Sequence, residues 1–106
     1  MNKSLQLELY KEFINAYKTA QREYNFESKI FIRMLGDYGP YKTAKRLTNQ
    51  LEWQKGYEKL AFLGRTDLTV EYIILQDKYS TYFRDRQINN AKEKIRQASQ
   101  IVGHKY

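Results

Sequence analysis

The sequence predicts an all-α protein, a compact single-domain bundle of five to six short helices around a buried central helix at about residues 68–77. Three observations carry this. Apolar side chains return every three or four positions through most of the chain, the spacing of one helical face. One Pro and five Gly interrupt 106 residues, too few breakers for a many-turned sheet. From Leu68 to Leu75 the apolar residues cover more than one helical face, and such a helix has to be enclosed by other elements.

The first helix is expected from about Ser4 to Tyr24, with Leu9, Tyr10, Phe13, Ile14, Tyr17, Ala20 and Tyr24 inward. Asn25 or Ser28 caps a short second helix carrying Ile30, Phe31, Met34 and Leu35, which ends near Gly36 to Gly39. Proline loses nothing in a first helical turn, where its missing N–H has no partner anyway. A third helix therefore begins at Pro40, with Tyr41, Ala44, Leu47 and Leu51 facing inward. Trp53, Tyr57, Leu60, Ala61 and Leu63 mark a fourth, with Gly56 near its start and Gly64 closing it in a left-handed conformation. Asp67 is the expected N-cap of the central helix, because its carboxylate accepts from free N–H groups of the first turn. A connector from Asp77 to Arg86 tucks Tyr79, Tyr82 and Phe83 onto the bundle, since three exposed aromatics would leave an apolar patch. The last helix, from about Asp85 to Val102, buries Ile88, Ala91, Ile95, Ala98 and Val102, flanked by Lys92 and Arg96; Gly103 ends it before a tail with His104.

Composition removes several function classes. A chain of this length buries roughly 65% of its unfolded surface, enough for one core. Cysteine is absent, so there is no disulfide framework, thiol nucleophile or thiolate metal site. The one histidine, His104, stands near the C-terminus and leaves zinc ligation and Ser-His-Asp chemistry without their parts. No Gly-rich phosphate loop follows a strand. No enzyme activity, cofactor or metal is expected. No stretch approaches the roughly 20 apolar residues that span a bilayer, and no signal-type run opens the chain, so a cytoplasmic protein without membrane contact is expected.

Lys and Arg number 19 against 12 acids, a formal +7 that favours polyanions or acidic proteins as partners. Lys42, Lys45, Arg46 and Asn49 share an arc of about 100° on the third helix, uninterrupted by acids. Thr48 and Gln50 stand beside it as further hydrogen-bond donors, which makes this the leading candidate for a phosphate-contacting face. Lys11, Lys18 and Arg22 form a second stripe on the first helix at spacings of seven and four. The plainer reading of both is a solubilising surface. Trp53 is either a stacking platform or core, and Tyr82-Phe83-Arg84-Asp85-Arg86 has the composition of a single-strand contact. The remaining cluster is Arg65, Asp67 and Glu71. Its structural reading has Asp67 capping while Glu71 meets Arg65 or the positive helix end. Its chemical reading has Asp67 and Glu71 sharing a hard cation completed by substrate phosphates.

Gly39 to Leu47, Gly56-Tyr57 to Leu63, the block Gly64-Arg65-Thr66-Asp67-Leu68-Thr69-Val70-Glu71 and Tyr79-x-x-Tyr82-Phe83 together resemble a family of short bacterial proteins. The resemblance covers the chain from about Tyr17 onward. It implies an all-helical domain and no established activity, with relatives near DNA-processing or mobile-element genes. The chain departs from the pattern at Arg84 and Gln87, where Thr and Glu would form a capping box. The expected function is a small basic binding module for nucleic acid or for an acidic surface of a nucleic-acid-processing protein. The alternatives are a phage-type or mobile-element inhibitor of such an enzyme, and a metal-dependent enzyme centred on Asp67 and Glu71.

Overall fold

In the computed structural model, which describes residues 1–103 and the last two by backbone alone, helix α1 (Lys3–Tyr24) starts at Asn2. The Asn2 side chain accepts from the Leu5 N–H at 2.8 Å. Asn25 ends this helix in the left-handed region (φ 55°), so the cap of the next helix is Ser28, whose Oγ accepts from the Phe31 N–H at 3.3 Å. Helix α2 (Lys29–Thr48) is bent at Gly39, where φ 78° and ψ 173° demand a residue without a Cβ. Pro40 opens its second half, as expected. Across the bend, Thr43 Oγ1 donates to the Met34 carbonyl at 3.0 Å and ties the two halves together.

Helix α3 (Lys55–Phe62) closes at Gly64 (φ 73°), with the Arg65 N–H donating back to the Leu60 carbonyl at 2.9 Å. That geometry makes Gly64 a backbone requirement, whereas Gly56 lies inside the helix and an added Cβ would meet the Phe26 ring at an ordinary 3.6 Å. Gly64→Ala is therefore expected to lose about 1 kcal/mol and Gly56→Ala to gain about 0.5–1 kcal/mol. Urea midpoints at unchanged m-value check both, and equal signs would refute this account.

The central segment is shorter than the expected 68–77 helix. A 3₁₀ turn, Thr66–Leu68, leads into α4 (Val70–Ile74), and the chain turns helical again in α5 (Asp77–Ser80), inside what the sequence reads as a connector. Asp67 does not cap. Thr69 does, accepting from the Tyr72 N–H at 3.2 Å and donating to the Thr66 carbonyl at 2.6 Å. The 3₁₀ turn moves the helix start two residues on, and Thr69 is the residue left at the boundary. Helix α6 (Asp85–Gly103) completes the bundle. At its start Gln87 Oε1 accepts from the Arg84 N–H at 3.0 Å, so half of a capping box forms without a threonine.

Helix α4 is enclosed nonetheless. Val70, Glu71, Ile73 and Ile74 are buried, the apolar ones against Leu9, Phe13, Leu35, Ala44, Tyr79, Phe83 and Ala91. Ile74 is wholly buried, which stabilises by about 1.5–3 kcal/mol relative to exposure. Some expected core positions lie outside. Tyr10 and Ile30 are exposed because they stand about 100° round from Leu9 and 140° round from Leu35 at 3.6 residues per turn. Leu51 follows the end of α2, and Leu63 is the C-cap of α3, so both face solvent. The Val102 side chain and His104 fall outside the described residues. No described helix is long and apolar enough to cross a membrane.

Candidate functional site

The second half of α2 begins at Pro40, whose fixed φ sets the register that brings Lys42, Lys45 and Arg46 onto one face. Lys42 and Arg46 are exposed and Lys45 is half-buried. Lys45 Nζ stands 4.7 Å from the Tyr41 ring centre, and the Arg46 guanidinium 4.0 Å from that of Tyr38. A cation over an aromatic face is held in place without losing its charge. Lys45 and Arg46 also occupy the last turn, where the helix dipole favours cations, so the same positions have a structural use. Asn49, grouped with them from sequence, is the C-cap. It is exposed, but its Oδ1 accepts from Gln87 Nε2 at 2.9 Å and anchors α2 to α6.

On α1, Lys11, Lys18 and Arg22 are exposed. The acids of that helix are engaged elsewhere: Glu8 and Glu12 hold Lys78 at 3.1 and 3.2 Å, and Glu23 holds Arg65 at 2.9 Å. Among the described residues none of Lys11, Lys18, Arg22, Lys42, Lys45 or Arg46 pairs with a carboxylate. Internal pairing thus engages all three acids of α1, and the six cations keep their charges free of any ion pair among the described residues. The two stripes stand on different helices, Lys11, Lys18 and Arg22 on α1 and Lys42, Lys45 and Arg46 on α2.

The structure separates the Arg65, Asp67, Glu71 cluster. Arg65 forms a bidentate pair with Asp67 (3.0 and 3.2 Å), binds Glu23, and donates to Tyr24 Oη at 2.9 Å. It thereby fastens the end of α1 to the turn before α4. Glu71 meets neither Arg65 nor the surface. Its Oε2 accepts from Lys94 Nζ at 3.1 Å, with side-chain exposures of 3% and 0%. Lys94 Nζ also donates to the Leu47 carbonyl at 3.0 Å and lies 3.4 Å from Gln54 Oε1. Burial pushes the Glu71 carboxyl above its ordinary value, and the Lys94 charge pulls it part of the way back. Asp67 and Glu71 are thus bound to different cations. No group of three or more His, Cys, Asp or Glu side chains gathers as a metal site among the described residues.

Lys94 is absent from the inward residues expected of the last helix. It stands three positions after Ala91 and four before Ala98, both buried, so it shares their face; that spacing was the available signal. Trp53 packs edge-on to Tyr57 at 5.1 Å, and its Nε1 donates to Gln97 Oε1 at 2.8 Å, which fixes it as a strut between α3 and α6. In the 82–86 segment Phe83 is buried while Tyr82, Arg84 and Arg86 are exposed.

Fold and site together define a small all-helical protein with a buried ion pair and unpaired basic stripes on two of its helices. No known protein family, curated protein or solved structure matches the chain.

Proposed function

We propose that the protein is a small cytoplasmic binding module, without catalysis of its own, that grips nucleic acid through Lys42, Lys45 and Arg46. The observation that carries this is the pair of aromatic supports: Tyr41 and Tyr38 steady Lys45 and Arg46 while leaving both charges available. Phosphate binding uses such cations as point charges, and each one engaged adds to the salt dependence. The stripe Lys11, Lys18 and Arg22 supplies a second polyanion contact. Nothing in the Asp67 and Glu71 geometry calls for a reaction, since each carboxylate already has its own cation.

A second reading has a specific observation behind it. Phe62 and Leu63 are 50% and 45% exposed at the end of α3, with Phe62 edge-on to Trp53 at 6.4 Å. An apolar spot on a basic surface suits an acidic, nucleic-acid-handling protein as partner, the arrangement of an inhibitor or regulator.

Binding to duplex and single-stranded oligonucleotides from 50 to 200 mM salt tests the first reading. Replacing Lys42, Lys45 and Arg46 together by Gln is expected to weaken binding about tenfold or more, whatever the sequence. It should also lower the slope of log affinity against log salt by roughly 1 per cation removed. Unchanged slope would remove this face from consideration. Recovery from native lysate of one stoichiometric protein, with or without nuclease, would instead favour the protein partner.

A further inference from the structure

A cavity of about 430 Å³ lies between α1, α2, α3 and the segment from the 3₁₀ turn into α4. Small-molecule sites commonly measure about 300–1,000 Å³. Phe13, Tyr17, Phe26 and Phe31 line it with four rings, Phe13 against Phe31 at 6.0 Å and Tyr17 against Phe26 at 5.9 Å, both edge-on. Ile30, 74% exposed, and Lys55 stand where the lining reaches the surface and mark the way in.

An apolar void alone would be imperfect packing. This wall is different, because Tyr57 and Glu71 both belong to it. Tyr57 is 5% exposed, and its hydroxyl is the one buried side-chain polar atom among the described residues without a hydrogen-bond partner. A buried hydroxyl of that kind is destabilising, and Phe would occupy the same place without the penalty. Glu71 engages Lys94 through Oε2, and its carboxylate is supported further by its own backbone N–H. Lys94 offsets the Glu71 charge, so the polar wall offers one donor and one acceptor with little net charge. Burial first, and the Glu71 charge second, push the Tyr57 phenol well above its ordinary value, which keeps it a protonated donor.

We propose that this cavity binds a neutral, largely aromatic small molecule carrying one group that both accepts and donates a hydrogen bond, as a hydroxyl does. Its oxygen accepts from Tyr57 Oη, its O–H donates to the Glu71 carboxylate, and its ring lies among the four aromatic side chains. The site is independent of the basic face, and neither nucleic acid nor salt dependence enters its test.

The probes are 2-naphthol and 2-methylnaphthalene, of the same shape with and without the hydroxyl, titrated into the full chain and its Tyr57→Phe variant. 2-Naphthol is expected to bind saturably and to shift the backbone amides of Gly56, Leu60 and Val70. Tyr57→Phe should weaken 2-naphthol about fivefold to tenfold and leave 2-methylnaphthalene within about twofold. The free variant should melt about 4 °C or more above the parent, because it no longer buries a partnerless hydroxyl. A Tyr57 kept for structure alone would do the reverse, and a lowered melting temperature overturns the proposal. So does failure of 2-naphthol to bind, amide shifts confined to other residues, or equal affinity in Tyr57→Phe.

Discussion

Lys94→Met is expected to cost about 3–5 kcal/mol, a large share of the roughly 5–15 kcal/mol that holds a domain folded. Methionine keeps most of the length and volume of the lysine stem, so the loss reports the charge rather than a hole. Glu71 would remain 3% exposed with its 3.1 Å partner gone, while the Leu47 carbonyl and Gln54 would lose the same donor. The pH dependence follows from the Glu71 shift. Burial raises this carboxyl above the ordinary 4.5, and without Lys94 only its own backbone hydrogen bond opposes it. An acid whose folded value is raised contributes stability below its unfolded value and loses it as pH rises through the folded one. The defect should thus be largest near pH 8 and shrink on acidification towards pH 5. Adding Glu71→Leu should restore much of the loss, because apolar replacements of a complete buried pair are often neutral or stabilising. Urea denaturation of the single and double variants at both pH values checks this, and a pH-independent loss below about 1 kcal/mol would defeat it.

The parts of this fold legible in the sequence are those set by local chemistry. The inward residues of α1, the break at Gly39-Pro40 and the left-handed Gly64 each follow from spacing or from backbone freedom within a few residues. The parts that were not legible depend on elements far apart. Glu71 and Lys94 are 23 residues distant, and neither helix announces the other; a lysine is almost never fully buried unless a partner is supplied from elsewhere. Asp67 and Thr69 are both competent caps two positions apart. The choice between them was made by the 3₁₀ turn and by Arg65, which takes the Asp67 carboxylate for itself. The candidate surface shows the same division. Lys42, Lys45 and Arg46 share a face, and Tyr41 lies beneath Lys45, because helical geometry requires it, whereas the Tyr38 ring beneath Arg46 across the Gly39 bend, and the diversion of Glu8, Glu12 and Glu23 into internal pairs, arise only on folding. A cavity closed by four elements has no periodic signature at all.

Tyr79→Ala is the second large effect, expected at about 3–5 kcal/mol. Tyr79 is wholly buried in the short helix α5, where it is the only side chain of that element in the core, and it belongs to the main core cluster with Phe83 and Ile74. Five-residue and four-residue helices such as α4 and α5 have no stability of their own, because nucleation outweighs so few hydrogen bonds, and they persist only through side chains that reach the core. Removing this one ring would therefore free the whole segment from Gln76 to Tyr82, and hydrogen exchange there should rise well beyond the global change. Tyr79→Phe separates packing from polarity. Burial would raise the Glu12 carboxyl, but hydrogen bonds from Tyr79, Gln76 and Lys78 more than offset this and hold it below the ordinary 4.5. A depressed acid contributes stability above its unfolded value and loses it as pH falls through the folded one, so the parent should weaken on acidification below about pH 4.5. Tyr79→Phe keeps the ring, loses the first of those donors, and should show a smaller loss of stability over the same acid range. Melting curves from pH 7 to pH 3 for the three proteins decide the matter: parallel acid limbs in parent and Tyr79→Phe would mean that the phenol does not hold Glu12, and a mild Tyr79→Ala would mean that α5 does not depend on its ring.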